Sequence, residues 1–170
     1  MSLPESSNVR FRTSDIYDQL GENVASLTIR LENLGGRRQF HGKIRTIYCP
    51  GDNALLKQLI TEPGEGAVLV VDGGGTIDSE LLGGSMVQLM SDNGWAGVVV
   101  YGAIRDRHEI SEIPIGVKAL GSNPRKSSKN GTGTVDSPLN INGVSFVTGS
   151  MLYADDDGIL VERAPIQEQT

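Results

Sequence analysis

The stretch AVLVVDGGGTIDSELLGGSMVQLMSDNGWAGVVVYGAIRD, residues 67–106, holds two apolar runs on either side of a segment with helical spacing. Unbroken runs such as 67–71 and 95–101 are typical of strands covered on both faces of a sheet. The segment from about Glu80 to Asp92 predicts a helix. The three elements therefore predict a right-handed β-α-β crossover with parallel, neighbouring strands, which places the chain in the α/β class.

The carboxyl edge of this predicted sheet is the place to expect a ligand. The loop DGGG at 72–75 follows the first strand, and Arg105–Asp106 follows the second. Because parallel strands end at the same edge, both loops should meet there, where open α/β sheets bind their ligands.

The flanking segments add further elements. They predict a first helix, with Thr13 or Ser14 as its N-cap, that ends at Gly21, and a second helix capped by Asp52 or Asn53. The other predicted elements are β-rich stretches at 26–36 and 41–50, a strand at 115–120, a surface loop at 122–138, a hairpin turning at Asn142–Gly143, and a last strand at 159–162.

Size and charge narrow the class of protein. At 170 residues and 38% hydrophobic content, the chain predicts one domain over 1–170, with a core at about 14–162 and a polar tail at 163–170. The net charge of −6 disfavours direct nucleic-acid binding.

Neither a signal peptide nor a membrane span is evident, so we expect a cytoplasmic protein. The single cysteine, Cys49, excludes an internal disulfide and predicts a core residue at a strand end.

Arg105, Asp106 and Glu109 are the first candidate functional residues. An arginine at the mouth of a buried strand can bind a carboxylate through two parallel hydrogen bonds. The adjacent aspartate is a hard oxygen donor suited to Mg²⁺ or Mn²⁺, and Glu109 can reach a metal-bound water if the turn continues helically. The alternative is a surface ion pair between Arg105 and Glu109, four residues apart.

The run Gly83-Gly84-Ser85-Met86 is the second candidate. Paired glycines near a helix start allow backbone N–H groups to face an anion. The alternative is that both glycines only permit close packing of the helix on the sheet. The DGGG loop matches neither the phosphate-binding loop nor the GxGxxG pattern of dinucleotide sites.

Other polar residues favour structural roles. His108 is expected to be solvated, Asp155–Asp157 to form a turn, and Lys126 and Lys129 to lie in a polar loop that is a poor setting for an imine-forming lysine.

Several stretches, in order, resemble the RraA-like family, which includes regulator of ribonuclease activity A and class II 4-hydroxy-4-methyl-2-oxoglutarate aldolases. They are DNALLKQLI, VLVVDGGG, WAGVVVYGAIRDRHE, IGVKALGSNPRKS and YADDDGILV. The resemblance runs from about Ser14 to Val161. Its aldolase branch carries a glycine, twenty residues, Arg-Asp, two residues and an acid, which Gly84, Arg105, Asp106 and Glu109 match.

The resemblance implies a role for each matching position. Arg105 would bind the carboxylate of the pyruvyl group, Asp106 would hold the divalent metal, and Gly83 to Met86 would contact the substrate through their backbone. It also implies a three-layer β/β/α domain assembled as a ring-shaped homotrimer. Relatives have been linked to a menaquinone methyltransferase, but the chain has no glycine-rich S-adenosylmethionine loop of the usual kind.

The implied chemistry passes through the enolate of pyruvate. It arises when the C3–C4 bond of a 4-hydroxy-2-oxo acid breaks, and also when oxaloacetate loses CO₂, with Mg²⁺ or Mn²⁺ as Lewis acid. The expected partners are thus small 2-oxo acids such as pyruvate and oxaloacetate. The rival hypothesis is a non-catalytic regulator whose acidic surface binds a ribonuclease or helicase. Relatives of that kind tend to lack the acid after the arginine, whereas this chain retains Asp106.

Overall fold

The computed structural model describes residues 10–163 of the chain. The α-helices of this part are α1 Thr13–Leu20, α2 Ala54–Leu59, α3 Gly84–Asp92 and α4 Arg107–Ser111. Its strands are β1 Val24–Ser26, β2 Glu32–Asn33, β3 Phe40–Tyr48, β4 Val68–Asp72, β5 Glu80–Leu82, β6 Gly97–Ile104, β7 Gly116–Ser122, β8 Thr134–Val135, β9 Leu139–Ile141, β10 Val144–Phe146, β11 Met151–Asp155 and β12 Gly158–Glu162.

A mixed sheet organises the fold. Its strand order is β1-β12-β11-β3-β4-β6-β7-β2, with β5 beside β6 and β8 beside β3. The central strands β3, β4, β6 and β7 are parallel, and Leu69 of β4 pairs with Val98 of β6. The predicted β-α-β crossover and the α/β class are therefore confirmed.

Different elements cover the two faces of the central strands. Along β4, Leu69 belongs to one buried cluster and Val68 to another, as expected for alternating side chains. The first cluster includes helical residues, and the second includes residues of the hairpin and last strands. Representative members are Leu56, Val87 and Ile110 in the first, and Ile141, Phe146 and Ile159 in the second.

The predicted helix from Glu80 was wrong in its first residues. Glu80–Leu82 is the short strand β5, which pairs in parallel with the end of β6. Gly83 is extended, with φ −113° and ψ 179°, and the helix begins only at Gly84. Pairing with a buried strand outweighs the local helical pattern because it satisfies the backbone of a segment that is itself buried.

The start of α1 also differs from the expectation that Thr13 or Ser14 caps it. Arg12 occupies the cap position, and the backbone N–H of Thr13 donates instead to Asp155 Oδ2 at 2.8 Å. The Thr13 hydroxyl donates to the other oxygen of the same carboxylate at 2.7 Å. A distant side chain thus replaces the local cap, which the sequence pattern did not indicate.

The surface loop predicted at 122–138 is tied to the helical layer. Asp52 accepts hydrogen bonds from the backbone N–H groups of Asn130 at 2.6 Å and Gly131 at 3.1 Å. Burial alone would raise the pKa of Asp52, but these hydrogen bonds and one from Ala54 lower it below its usual range. The same loop also contributes strand β8.

Three smaller expectations have mixed outcomes. Cys49 is buried directly after β3, and the hairpin does turn at Asn142–Gly143, as predicted. Apart from Arg163, the tail predicted at 163–170 lies outside the described residues. Within the part described, no helix is long and apolar enough to span a bilayer.

Candidate functional site

The carboxyl end of β6 carries the predicted Arg-Asp pair. The backbone N–H of Arg105 donates to Leu82 O at 3.0 Å, which holds the residue beside β5. Asp106 follows in the left-handed conformation, with φ 66° and ψ 45°, and immediately precedes α4. The left-handed residue turns the chain sharply at the end of the strand, so both side chains sit at the sheet edge where a ligand was expected.

The turn Gly83–Gly84 lies against both predicted carboxylates. The backbone N–H of Gly84 donates to Asp106 Oδ2 at 2.9 Å. A Cβ atom added to Gly84 would lie 2.3 Å from Glu109 Oε2, and one added to Gly83 would lie 3.2 Å from Asp106 Oδ2. The structure therefore brings Gly83, Gly84, Asp106 and Glu109 together, and the absence of a side chain at Gly84 leaves the space that the Glu109 carboxylate fills.

Ser85 and Met86, the other two residues of the predicted run, lie in the first helical turn of α3. Ser85 is exposed, whereas Met86 is buried against Asn53, with Sδ 4.0 Å from Asn53 Nδ2. The first N–H groups of a helix have no acceptor within it, so those of Ser85 and Met86 are suited to an anion. Their side chains face different surroundings, so only the backbone can serve as a common binding element.

Arg105 is paired differently from the alternative considered above. Its Nε lies 3.7 Å from Glu80 Oε1, and its Nη1 donates to Pro124 O at 3.4 Å. Among the ion pairs of residues 10–163, none joins Arg105 to Glu109. About a third of the Arg105 side chain, 34%, remains exposed. The guanidinium is thus held from one side and open on another.

A shallow cleft of about 370 Å³ opens beside these groups. Its lining residues are Arg105, Asp106, Arg107, Ser122, Asn123 and Pro124. The neighbouring Arg107 is engaged, since its Nε donates to Ser122 Oγ at 2.6 Å and its Nη2 pairs with Glu32. The volume suits a small organic acid, and Arg105 offers it a positive charge.

Glu80 is a charged residue of this region that sequence reasoning did not single out. Only 4% of its side chain is exposed, and Oε2 has no hydrogen-bond partner in the structure. Burial raises its pKa above the usual range, while the positive charges of Arg105, Lys129 and Lys57 act in the opposite direction. The sequence prediction missed Glu80 because it placed the residue in a helix. The feature that could have indicated it is an acidic residue in a short apolar stretch next to the glycine turn.

The other polar candidates lie away from the cleft or are satisfied structurally. His108 is exposed and lies 3.6 Å from Glu112, while His41 is buried against Phe11. Asp155 binds Thr13 and closes the β11–β12 turn, as predicted for this acidic run. Lys129 donates to Asn53 Oδ1 at 3.1 Å in the loop after β7.

Comparison with known proteins identifies the relatives. The family model RraA-like: Aldolase/RraA matches residues 13–161. The chain belongs to the RraA-like family. A solved structure described as the RNA-processing inhibitor RraA from Thermus thermophilis is 42% identical, with a TM-score of 0.87, over 94% of this chain and 98% of that one.

Two further RraA-like structures carry different descriptions. One, described as an S-adenosylmethionine: 2-dimethylmenaquinone methyltransferase from Geobacillus kaustophilus HTA426, is 37% identical with a TM-score of 0.87, over 94% of this chain and 99% of that one. The other is Streptomyces coelicolor RraAS2, described as an unusual member of the RNase ES inhibitor RraA protein family. It is 26% identical with a TM-score of 0.74, over 95% of this chain and 84% of that one. The RraA-like family thus spans more than one described activity.

The donor set at this RraA-like site fits a hydrated divalent cation. Within residues 10–163 there is no group of three or more His, Cys, Asp or Glu side chains arranged to enclose a metal. Mg²⁺ commonly binds through one or two carboxylates and takes its other ligands from water and substrate. Asp106 uses one oxygen on the Gly84 N–H, so its second remains for a cation, and the Glu109 carboxylate lies against the same glycine.

Proposed function

We propose that the chain is a divalent-metal-dependent class II aldolase. It cleaves 4-hydroxy-4-methyl-2-oxoglutarate and related 4-hydroxy-2-oxo acids to pyruvate and a second 2-oxo acid, and it also decarboxylates oxaloacetate. The observation that carries the proposal is the placement of Arg105 and Asp106 side by side in one cleft, with Asp106 bound to the Gly84 N–H. Membership of the RraA-like family, which the family model names together with aldolases, supports it.

Arg105 binds and orients the substrate. Its guanidinium is partly exposed in the cleft and, unlike that of Arg107, has no carboxylate within hydrogen-bond distance. A planar fork of N–H donors matches a carboxylate in two parallel bonds. Binding the carboxylate next to the 2-oxo group places that carbonyl beside Asp106. The contribution of Arg105 is therefore geometric as well as electrostatic.

Asp106 supplies the protein ligand for Mg²⁺ or Mn²⁺. When bound, such a cation would act as a Lewis acid that stabilises the negative charge developing as the pyruvate enolate forms. The Gly84 N–H holds the Asp106 carboxylate in one orientation. The backbone N–H groups of Ser85 and Met86 provide further donors to the anionic substrate.

Glu109 is placed to handle the proton. Its carboxylate fills the space beside Gly84, in the first turn of α4 and next to Asp106. In the cleavage direction, a water held by Glu109 passes the proton of the 4-hydroxyl to the Glu109 carboxylate as the C3–C4 bond breaks and its electrons pass to the enolate. Return of that proton through the water to C3 then gives pyruvate.

Chelator-sensitive turnover tests this function. Oxaloacetate decarboxylation is measured with Mg²⁺ and with EDTA, and aldol cleavage is followed by coupling pyruvate to lactate dehydrogenase. We expect both activities with Mg²⁺ and their loss with EDTA. Absence of both activities with Mg²⁺ and with Mn²⁺ overturns the proposal.

The second candidate is a regulator that binds a ribonuclease or a helicase. The observation favouring it is the 42% identity to a structure described as an RNA-processing inhibitor. A net charge of −6 suits a basic, RNA-binding surface of such a partner, without direct nucleic-acid binding by the chain itself. Inhibition of a purified ribonuclease by a protein without chelator-sensitive turnover would favour this candidate over the aldolase.

The assembly and cell compartment belong to the same proposal. We place the chain in the cytoplasm as a ring-shaped homotrimer of β/β/α domains, as its resemblance to the family implies. Sedimentation equilibrium gives the mass in solution, and a monomer at micromolar concentration contradicts the trimer.

A further inference from the structure

We propose that the buried carboxylate of Glu80 is a positioning residue that determines which edge of the Arg105 guanidinium faces the substrate. This inference rests on the proposed lyase function. It assigns a task to a buried charge that the reaction itself does not use, and the task follows from how the two residues are held.

The backbones of both residues are fixed by the same strand pairing. Glu80 pairs with Ala103 of β6, and its N–H donates to Arg125 O at 2.8 Å. The N–H of Arg105 donates to Leu82 O at 3.0 Å. The β5–β6 pairing and its neighbouring backbone hydrogen bonds therefore hold both backbones and place the two side chains at the same edge of the sheet.

The contact involves one defined edge of the guanidinium. Glu80 Oε1 lies 3.7 Å from Nε, within ion-pair distance, although too long for a hydrogen bond. Arginine can bind a carboxylate through Nε and Nη2 or through Nη1 and Nη2. A substrate carboxylate at the Nε edge would meet the negative charge of Glu80. Glu80 therefore directs the substrate to the Nη1–Nη2 edge.

A second contact supports the same orientation. Nη1 of Arg105 donates to Pro124 O at 3.4 Å, and Pro124 also lines the cleft. An amine group carries two hydrogens, so this bond leaves one on Nη1, in addition to those on Nη2. The Nη2 hydrogens and the second Nη1 hydrogen are therefore left for a ligand, whereas the Nε edge faces Glu80.

The surroundings of Glu80 explain why its charge is effective. With 4% of the side chain exposed, water screens it little, and Oε2 has no protein partner that would divide its charge. The positive charges of Arg105, Lys129 and Lys57 stabilise the ionised carboxylate, whereas the negative charge of Asp106 destabilises it. The Coulomb interaction of such a carboxylate with a nearby cation is stronger than that of an exposed one, because the local dielectric constant is lower.

Glu80→Gln tests the proposal because it keeps the shape and removes the charge. Glu62→Gln is the matched control, since Glu62 pairs with Arg45 away from the cleft. We expect Glu80→Gln to raise KM for oxaloacetate about tenfold and to change kcat by less than about threefold. This pattern is expected because the variant loses a binding interaction that is equally strong in the ground state and the transition state. A KM equal to that of wild type or of Glu62→Gln overturns the proposal.

A pairwise test separates positioning from a general structural effect. In an Arg105→Lys background the guanidinium edge no longer exists, so we expect Glu80→Gln to add less than about a twofold further rise in KM. A full additional rise would show that Glu80 acts through other groups and would overturn the proposal. If Glu80→Gln does not fold, Glu80→Met replaces it, because methionine also removes the charge at a similar side-chain length, and an unchanged KM there overturns the proposal as well.

A spectroscopic readout is independent of turnover. The Arg105 Nε–H signal, assigned in ¹⁵N-arginine-labelled protein by its loss in Arg105→Lys, should shift and exchange faster with water in Glu80→Gln but not in Glu62→Gln. An unchanged signal overturns the positioning role. Wild-type protein without lyase activity overturns the proposed function itself, whereas active wild type with an unaffected Glu80→Gln variant overturns only this inference.

Discussion

The backbone N–H of Gly84 donates a hydrogen bond of 2.9 Å to Oδ2 of Asp106. It joins the start of α3 to the residue that follows Arg105 after β6, two elements that the sheet brings to one edge. The bond orients the Asp106 carboxylate without any side-chain partner. A glycine turn and an acid 22 residues later therefore act as one unit.

Asp106→Asn should abolish metal-dependent turnover while preserving the fold. Asparagine tolerates the left-handed conformation of Asp106 and can still accept the Gly84 N–H, but it lacks the negative charge that a cation needs. We expect kcat/KM for oxaloacetate to fall at least about a hundredfold, with an unchanged melting temperature. Retained EDTA-sensitive decarboxylation would contradict the role given to Asp106; Asp106→Ala should lose turnover equally but at some cost in stability.

Gly84→Ala should displace Glu109 and reduce turnover. The new Cβ would lie 2.3 Å from Glu109 Oε2, the far end of a flexible side chain, so the carboxylate must move while the backbone need not. We expect a loss of about tenfold or more in kcat, as for an impaired general base. Gln88→Ala, on the exposed side of the same helix, is the control. Equal kcat values in both variants would show that the position of Glu109 is unimportant.

Glu80→Gln should flatten the dependence of stability on pH. Burial raises the folded-state pKa of Glu80 above its ordinary value of 4.5, so between these two values the folded state binds more protons than the unfolded state. The contribution of Glu80 to stability therefore declines as pH rises through this window. Melting temperatures measured from pH 4 to 8 should show this decline in wild type and in Glu62→Gln, and less of it in Glu80→Gln. If the melting temperatures of all three proteins changed with pH in parallel, the effect assigned to Glu80 would be contradicted.

Gly116→Ala should destabilise the fold strongly. An added Cβ would lie 2.0 Å from Phe40 Cδ1, and Phe40 is buried in the cluster that also contains Val68 and Phe146. We expect a loss of about 1–3 kcal/mol in the free energy of unfolding, measured with urea, because overpacking forces the backbone or the ring to shift. In a Phe40→Leu background the penalty of Gly116→Ala should be smaller. The same penalty in both backgrounds would show that the ring is not the obstacle.

The central strands and the edge that carries Arg105 and Asp106 were predictable from sequence. Two apolar runs around a helical segment have few alternative arrangements, because each must be covered on both faces and the crossover has one favoured hand. The hairpin at Asn142–Gly143 followed from turn chemistry alone. These features depend on residues close together in the chain.

Contacts between distant residues were not predictable. The strand at Glu80–Leu82 forms because it pairs with β6, and the start of α1 is capped by Asp155, 142 positions away. The alternative of an ion pair between Arg105 and Glu109 was wrong because Arg105 lies beside Glu80 instead. That contact exists only when β5 pairs with β6, which the local sequence does not indicate.

The sequence by itself determined that this is an α/β chain with a guanidinium and a carboxylate adjacent at the end of a buried strand. Only the tertiary structure decided which groups surround them: Gly84 holding Asp106, and Glu80 beside Arg105. The physical reason is that local patterns govern which segments are buried, whereas the direction and partners of a buried polar side chain depend on which strands pair.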